Sequence, residues 1–417
     1  MTRYLNRLAC LRCAAPYDDP ALELIGRGCP ACERDGVPSN VLPVYEVSAA
    51  AVLPVDRSQP GLFRYRALLP LRPETPAVSL NEGTTPLVPL ERTAERLGLG
   101  AVHVKDETRN PTWSYKDRLA AVATAKAVEL GVEAVVVAST GNHGAAVAAY
   151  AARAGLPCVV LTLASVPPAM KTLMQVYGAR VVALERPPDR WSLMRELVAE
   201  RGWLPMSGHA NPPVGSIPYG VDGYKTIAYE IFEQLGDVPD VVIVPAAYSD
   251  GLAGVWRGFA DLAALGVARR TPRMVAAEPF GPLARALAEG TDTAGPVPVT
   301  GSVAFSIASP YGTYQGLDAL RASGGHAVPV PGDARTLDAQ HRLGREGLYP
   351  EASSAVALLA LEELVASGAV AAGEHVVLVG TSTGLKDVGA TAGTLPPVPV
   401  VEPTLRALDA ALAGEAP

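Results

Sequence analysis

The 417-residue chain lacks what would commit it to a membrane or to a nucleic acid. No apolar run has the length and purity that a bilayer demands, and the purest, Ala134 to Ala138, is as long as one strand. The first residues, Met-Thr-Arg-Tyr-Leu-Asn-Arg, have no apolar core of the kind that signals export. There is no long basic run, and a net charge of -7 argues against nucleic acid as a partner. Charge of either sign is scarce, at 18% of residues against 49% hydrophobic ones, which excludes a disordered chain and predicts a soluble, well-buried one. These absences together predict a cytoplasmic protein. The length exceeds one small core and suits two or three domains.

Cysteine is scarce too, with five in all, yet four are patterned. Cys10-x-x-Cys13 and Cys29-x-x-Cys32 are two pairs separated by fifteen residues. Four thiolates at that spacing close a tetrahedron around zinc and leave no open position, so the site predicted is structural, a zinc-ribbon-like module. Two disulfides or incidental thiols are the alternatives, and a reducing compartment disfavours the first. The fifth, Cys158, lies in an apolar run and reads as a core residue. Val37 to Pro76 is Pro-rich and weakly periodic, a linker or wrapping arm.

The stretch that organises the rest is Asn110-Pro111-Thr112-Trp113-Ser114-Tyr115-Lys116-Asp117-Arg118. A turn-forming Asn-Pro leads into a helix-like run, Arg118 to Leu130, so Lys116 stands at a helix mouth. The positive end of a helix repels a cation, and a lysine has little structural reason to be there. Burial would lower its pKa, and a neutral amine can form a Schiff base. Further on, Val135 to Ala138 reads as a buried strand, Ser139-Thr140-Gly141-Asn142-His143-Gly144 as a Gly-rich turn, and the run to Ala154 as a helix. Strand, turn and helix present backbone N–H groups to an anion. Taken alone, that turn also fits a Rossmann-type phosphate site. Strands at Ala101 to Lys105, Cys158 to Leu163, Arg180 to Leu184, Val241 to Val244, Arg273 to Ala277 and Val376 to Val379 alternate with helices near Pro168 to Tyr177 and Asp189 to Arg201. Such alternation predicts parallel α/β architecture.

Asn110 to Arg118 resembles the N-P-T-x-S-x-K-D-R motif of the threonine synthases, pyridoxal-phosphate enzymes of fold type II. Asn81-Glu82-Gly83-Thr84-Thr85-Pro86-Leu87 is similar to their N-E-G-x-T-P-L segment, and Thr381 to Asp387 resembles their T-G-x-G-L-K-D. The resemblance covers roughly Leu80 to Asp387 and extends to the N-terminal segment, because some threonine synthases carry a short Cys-rich knuckle. It implies an α/β fold of two parallel-sheet domains with pyridoxal phosphate in the cleft. The layout expected is a four-cysteine, zinc-ribbon-like module at 1–40, an arm at 41–79, a catalytic body at 80–395 containing a smaller mobile domain near 117–205, and a tail at 396–417. A homodimer acting on a small amino acid is also implied.

The family roles pass to this chain motif by motif. Lys116 is the catalytic lysine that carries the cofactor. Ser139, Thr140, Asn142 and His143 hold the substrate carboxylate, and Asn142 also meets the cofactor's O3′. Thr84 and Lys225 join the substrate set. Thr381 meets the pyridine nitrogen, with Ser382 as the fallback. The backbone of Ala247, Tyr248, Ser249, Asp250 and Gly251 takes the cofactor phosphate, with Asp250 turned away. Ser306 and Tyr314 are guesses for the pocket wall, and Ser353 is expected to cap a helix. Cys10, Cys13, Cys29 and Cys32 take zinc.

Three departures from the family pattern bear on substrate. Gly220-Val221-Asp222-Gly223-Tyr224-Lys225-Thr226 resembles R-x-E-G-Q-K-T, yet Pro218, Tyr219 and Gly220 stand where an arginine associated with the substrate phosphate is expected. The Gly-Asn-His turn resembles dehydratases and ammonia-lyases more than threonine synthases. The phosphate loop has few glycines. The family resemblance makes O-phospho-L-homoserine plus water giving L-threonine and phosphate the first expectation, while the missing arginine and the Gly-Asn-His turn favour the alternatives. The alternatives are β-replacement or β-elimination on a phosphoserine-, serine/threonine- or diaminopropionate-like substrate, and a non-catalytic ligand-binding protein of the same fold. A nucleotide-binding protein lacks its complete phosphate fingerprint.

Overall fold

The computed structural model describes residues 2–166 and 168–413. Strand β1 (Thr2–Cys10) pairs antiparallel with β2 (Pro16–Asp18) on one side and β3 (Val41–Val47) on the other. Two short helices, Leu22–Arg27 and Pro30–Arg34, lie between β2 and β3. Each Cys-x-x-Cys falls at a turn: Cys10 ends β1, and Cys29 immediately precedes the second helix. The Pro-rich arm then contributes more than β3. Its 3-10 helix Gly61–Leu68 buries Leu62, Phe63, Tyr65 and Leu68 completely.

Ten further strands follow. They are β4 (Leu87–Pro89), β5 (Ala101–Asp106), β6 (Val135–Ala138), β7 (Cys158–Leu163), β8 (Arg180–Leu184), β9 (Leu204–Pro205), β10 (Val241–Pro245), β11 (Arg273–Glu278), β12 (His326–Pro329) and β13 (His375–Gly380). The larger sheet has the order β12-β11-β10-β13-β5-β4, parallel throughout except for the edge strand β4. The smaller, β8-β7-β6-β9, is wholly parallel. Val241 to Pro245 are all buried, as a parallel strand covered on both faces requires. The alternation read from sequence therefore produces the expected α/β sheets, and strand ends differ from expectation by a residue at most.

Two helices fix the site against these sheets. Lys116–Leu130 buries eleven of its residues, and Asn142–Ala154, nearly all small side chains, packs closely beside it. Helix Ala352–Ala366 is apolar on every side and lies in the core of the larger sheet. Its first turn corrects one expectation: the capping position is Glu351, and Ser353 lies inside the helix with no partner for its hydroxyl among the described residues. Residues 387–417 form a separate unit with two helices, Val388–Ala392 and Leu405–Leu412. No helix among the described residues is long and apolar enough to cross a membrane.

Candidate active site

The C-terminal ends of β6, β10 and β13 open on one cavity of about 640 Å³, where open α/β sheets place their ligands. Its wall includes Lys116, the Ser139–His143 turn, the Ala247–Gly251 loop and Thr381. That volume suits a cofactor and a small substrate together.

Lys116 is the first residue of its helix. Its ammonium lies 5.0 Å from the Tyr115 ring centre and 5.7 Å from that of Tyr224, and hydrogen-bonds to none of the described residues. Burial pulls its pKa below the ordinary value, with Asp250 and Glu351 opposing. The helix mouth thus holds an amine whose charged form burial disfavours and which no acceptor among the described residues claims.

The turn after β6 is built around Ser139, whose Oγ accepts from the Gly141 N–H at 3.2 Å and the Gly144 N–H at 2.8 Å. Asn142 opens the next helix with its amide fixed on both sides. Its Oδ1 accepts from Lys386 Nζ at 2.7 Å and Ser382 Oγ at 3.2 Å, while its Nδ2 donates to Glu351 Oε2 at 3.1 Å. His143 is pushed down to about 3 by burial and by the neighbouring Lys116, so it is neutral at working pH. Thr140 completes this wall.

On the facing wall, helix Asp250–Ala264 starts directly below the cavity. Ser249 precedes it at φ 64°, a left-handed conformation uncommon for serine. Gly251 is required by space, since a Cβ there would meet Tyr115 Cε2 at 2.6 Å. Asp250 is not turned away: it lines the cavity, with Oδ1 accepting from the Ser216 N–H and from Gln315 Nε2, each at 2.7 Å. Burial raises its pKa, with Lys116 opposing. Thr381 Oγ1 and Ser354 Oγ are 2.7 Å apart, a pair of uncharged hydroxyls at the third wall.

Several expected residues stand elsewhere. Thr84 is exposed off the cavity, where its N–H donates to Glu230. Lys225 is fully buried in a different network, 2.7 Å from Asp261 and over the Tyr45 ring, and does not reach the cavity. Ser382 lies behind the wall, bonded to Asn142 and the Trp113 carbonyl. Ser306 lines the cavity and Tyr314 does not. Pro218–Val221, the segment without the expected arginine, is a buried helix with none of its residues on the wall. The motifs Gly-Leu-Lys386 and Pro-Glu351 were visible in the sequence, but nothing local indicated that both grip Asn142.

The residues present fit pyridoxal phosphate. An unclaimed amine, backbone N–H groups at a helix start with a glycine that permits close approach, and a neutral hydroxyl pair surround one cavity of suitable size. The four cysteines likewise fit a metal, their sulfurs all within 4.8 Å of one another.

A family model described as "Pyridoxal-phosphate dependent enzyme" matches residues 78–382. A threonine synthase of Methanocaldococcus jannaschii is 34% identical over 387 residues, covering 91% of this chain and 92% of the relative. One of Synechocystis is 37% identical, covering 84% and 88%. Among solved structures, maize serine racemase superposes with a TM-score of 0.64 at 22% identity, covering 74% of this chain and 91% of the other, a likeness of fold alone.

Proposed function

The chain belongs to the threonine synthase family of pyridoxal-phosphate-dependent enzymes, and from that premise we propose that it converts O-phospho-L-homoserine and water to L-threonine and phosphate. That it is a pyridoxal-phosphate lyase of the threonine synthase type follows from its relatives; the substrate and the residue roles are this proposal. The observation that carries it is Lys116: a buried helix-mouth amine with no hydrogen-bond or ion-pair partner among the described residues, facing a cavity walled by the Ser139–His143 turn.

The cofactor, when bound, supplies an electron sink for negative charge at the substrate's Cα. Lys116 would hold it, the N–H groups of Ala247 to Gly251 would take its phosphate, and Thr381 its ring nitrogen. Burial raises the Asp250 pKa, which disfavours a second negative charge beside that phosphate. A hydroxyl does not keep the ring nitrogen protonated, which moderates the sink and suits elimination and replacement. Ser139, Thr140 and Asn142, at a helix start, would receive the substrate carboxylate. Lys116 Nζ, its pKa lowered by burial, would accept the Cα proton and return it. His143 stays neutral and offers a hydrogen bond only. We further propose that the β6–β9 sheet closes over substrate, that Cys10, Cys13, Cys29 and Cys32 hold a structural zinc, and that the enzyme is a cytoplasmic homodimer.

A second reading has one observation in its favour: the buried Pro218–Val221 segment offers no cation to the cavity. On that ground, elimination at Cβ of a serine/threonine- or diaminopropionate-like substrate is the competitor. Products from O-phospho-L-homoserine, L-threonine and 2,3-diaminopropionate, read by mass spectrometry, decide between them. Threonine from the first supports the proposal. Turnover of the unphosphorylated amino acids alone sinks it in favour of the competitor.

A further inference from the structure

Helix Pro187–Arg201 begins on the cavity wall with Pro187 and Pro188 and, within its first turn, presents Arg190 to the same cavity. Arg190 is 8% exposed. Its Nε donates to the Pro187 carbonyl at 3.2 Å, and its guanidinium lies 5.7 Å from the Trp191 ring centre. Among the described residues no carboxylate pairs with it, and no acceptor takes the two terminal nitrogens. An arginine does not escape burial by losing its proton, so an unpaired one at this depth is costly until an anion joins it.

The cavity's own acids do not fill that role. Asp250 is held by the Ser216 N–H and Gln315, and Glu351 accepts from Asn142. Arg190 is also the only arginine on the wall among the described residues. It belongs to the same parallel sheet layer as the Ser139–His143 turn, since its helix follows β8 and the turn follows β6. Arg190 and that turn both line the cavity, and the Tyr248 phenol lies near Arg190. A planar guanidinium fork suits bidentate contact with a phosphate or carboxylate.

We propose that Arg190 receives a second acidic group at the side-chain end of the substrate and selects amino acids carrying such a group over neutral ones. This rests on the assignment of the cavity as the amino-acid site. It makes Arg190 a specificity residue recruited from the small sheet's helix, where the Pro218–Val221 segment supplies no charge.

The test uses the full-length, cofactor-loaded protein and its Arg190→Gln and Arg190→Lys variants. Each is titrated with O-phospho-L-homoserine, O-phospho-L-serine and, as neutral ligands, L-threonine and L-2-aminobutyrate, following cofactor absorbance and turnover. Arg190→Gln should raise Kd and KM for the phosphorylated ligands roughly 10- to 100-fold, with Arg190→Lys in between. Neutral ligands should shift less than about 3-fold, and cofactor absorbance per chain should not change. Loss of cofactor absorbance in Arg190→Gln would overturn the proposal, assigning the group to the cofactor's own phosphate. An equal weakening for all ligands would make it a packing residue, and no change would leave it without a role; either outcome overturns the proposal. If the loaded wild type answers neutral ligands and no acidic one, the phosphohomoserine reading falls and this one with it. If the wild type answers phosphorylated ligands and the variant answers equally, Arg190 alone falls.

Discussion

Lys116 and Arg118 are two residues apart at the start of one helix, both cations, and their surroundings are opposite. Arg118 is fully buried and makes six hydrogen bonds: two to Glu107, two to Glu230, and one each to Thr85 and Thr226. Lys105 closes the network, 2.7 Å from Glu230. Burial alone would lower the Arg118 pKa, yet the two carboxylates hold it far above its ordinary value. At Lys116 the same burial wins, because the nearest acids are held by other donors. Position on the helix does not decide what a buried cation does. Partner supply decides: the paired one fixes the helix in place and the unpaired one is available for chemistry.

That contrast makes two large predictions of opposite kind. Lys116→Ala should cut turnover by at least roughly 10³-fold and abolish covalent cofactor attachment, read as the absorbance of cofactor retained after denaturation. Its urea-unfolding free energy, measured without cofactor, should stay within about 1 kcal/mol of wild type, since the ammonium gives up two ring contacts but no hydrogen bond or ion pair among the described residues. Arg118→Met should behave the other way, with stability falling by about 3–5 kcal/mol as two buried carboxylates lose their partner. Folded Arg118→Met should still attach cofactor. A stable Arg118→Met or an unstable Lys116→Ala would each break the comparison.

A smaller effect follows in acid. Burial would raise the Glu230 pKa, but Arg118 and Lys105 hold it well below the ordinary value. A depressed carboxylate contributes stability above its unfolded pKa, and that stability disappears only as pH falls through the folded value. That contribution is therefore complete above pH ~4.3, the ordinary glutamate value, and declines as pH falls below it. Glu230→Gln should be less stable than wild type in urea at neutral pH, and the gap should narrow as pH falls below ~4.3.

The sequence displayed Lys116 because its motif is local and punctuated by Asn110-Pro111, and it displayed the anion turn because strand, glycine and helix are contiguous. The sheets were legible for the same reason: buried parallel strands are short apolar runs with clear ends. What was not legible came from distance along the chain. Asn142 is gripped by Glu351 and Lys386, 209 and 244 residues away, and no periodicity reports such a meeting. Lys225 sits in a recognisable motif, but its helix turns it to Asp261 and Tyr45 rather than to the cavity. Arg190 belongs to no motif, and nothing in the sequence sets it apart from Arg195 and Arg201 on the same helix. The Pro-rich arm concealed Leu62, Phe63, Tyr65 and Leu68, since two short 3-10 turns kinked at Tyr65 bury four side chains without a helical repeat to announce it.

The smallest effect tests a cation between the two extremes. Lys386 has one strong partner, the neutral Asn142 Oδ1, and no ion pair among the described residues. Burial pulls its pKa from 10.5 down to about 8, against the pull of Glu351 and Asp117. Stability and activity should then respond to pH with opposite signs. Between pH 8 and 10.5 the unfolded chain holds this proton and the folded one does not, so this group's contribution to stability rises with pH across that window. The charge-assisted bond that orients Asn142 weakens over the same range, so kcat/KM should decline by a few-fold above pH 8. Lys386→Met should lower kcat/KM about 10-fold at neutral pH by leaving the Asn142 amide half held, and its pH profile should lose the break near 8. Persistence of that break in Lys386→Met would assign it to another group, with Lys116 the first to examine. Its disappearance would set Lys386 between its two neighbours in this chain, a cation with enough partner to stay and too little to keep its charge.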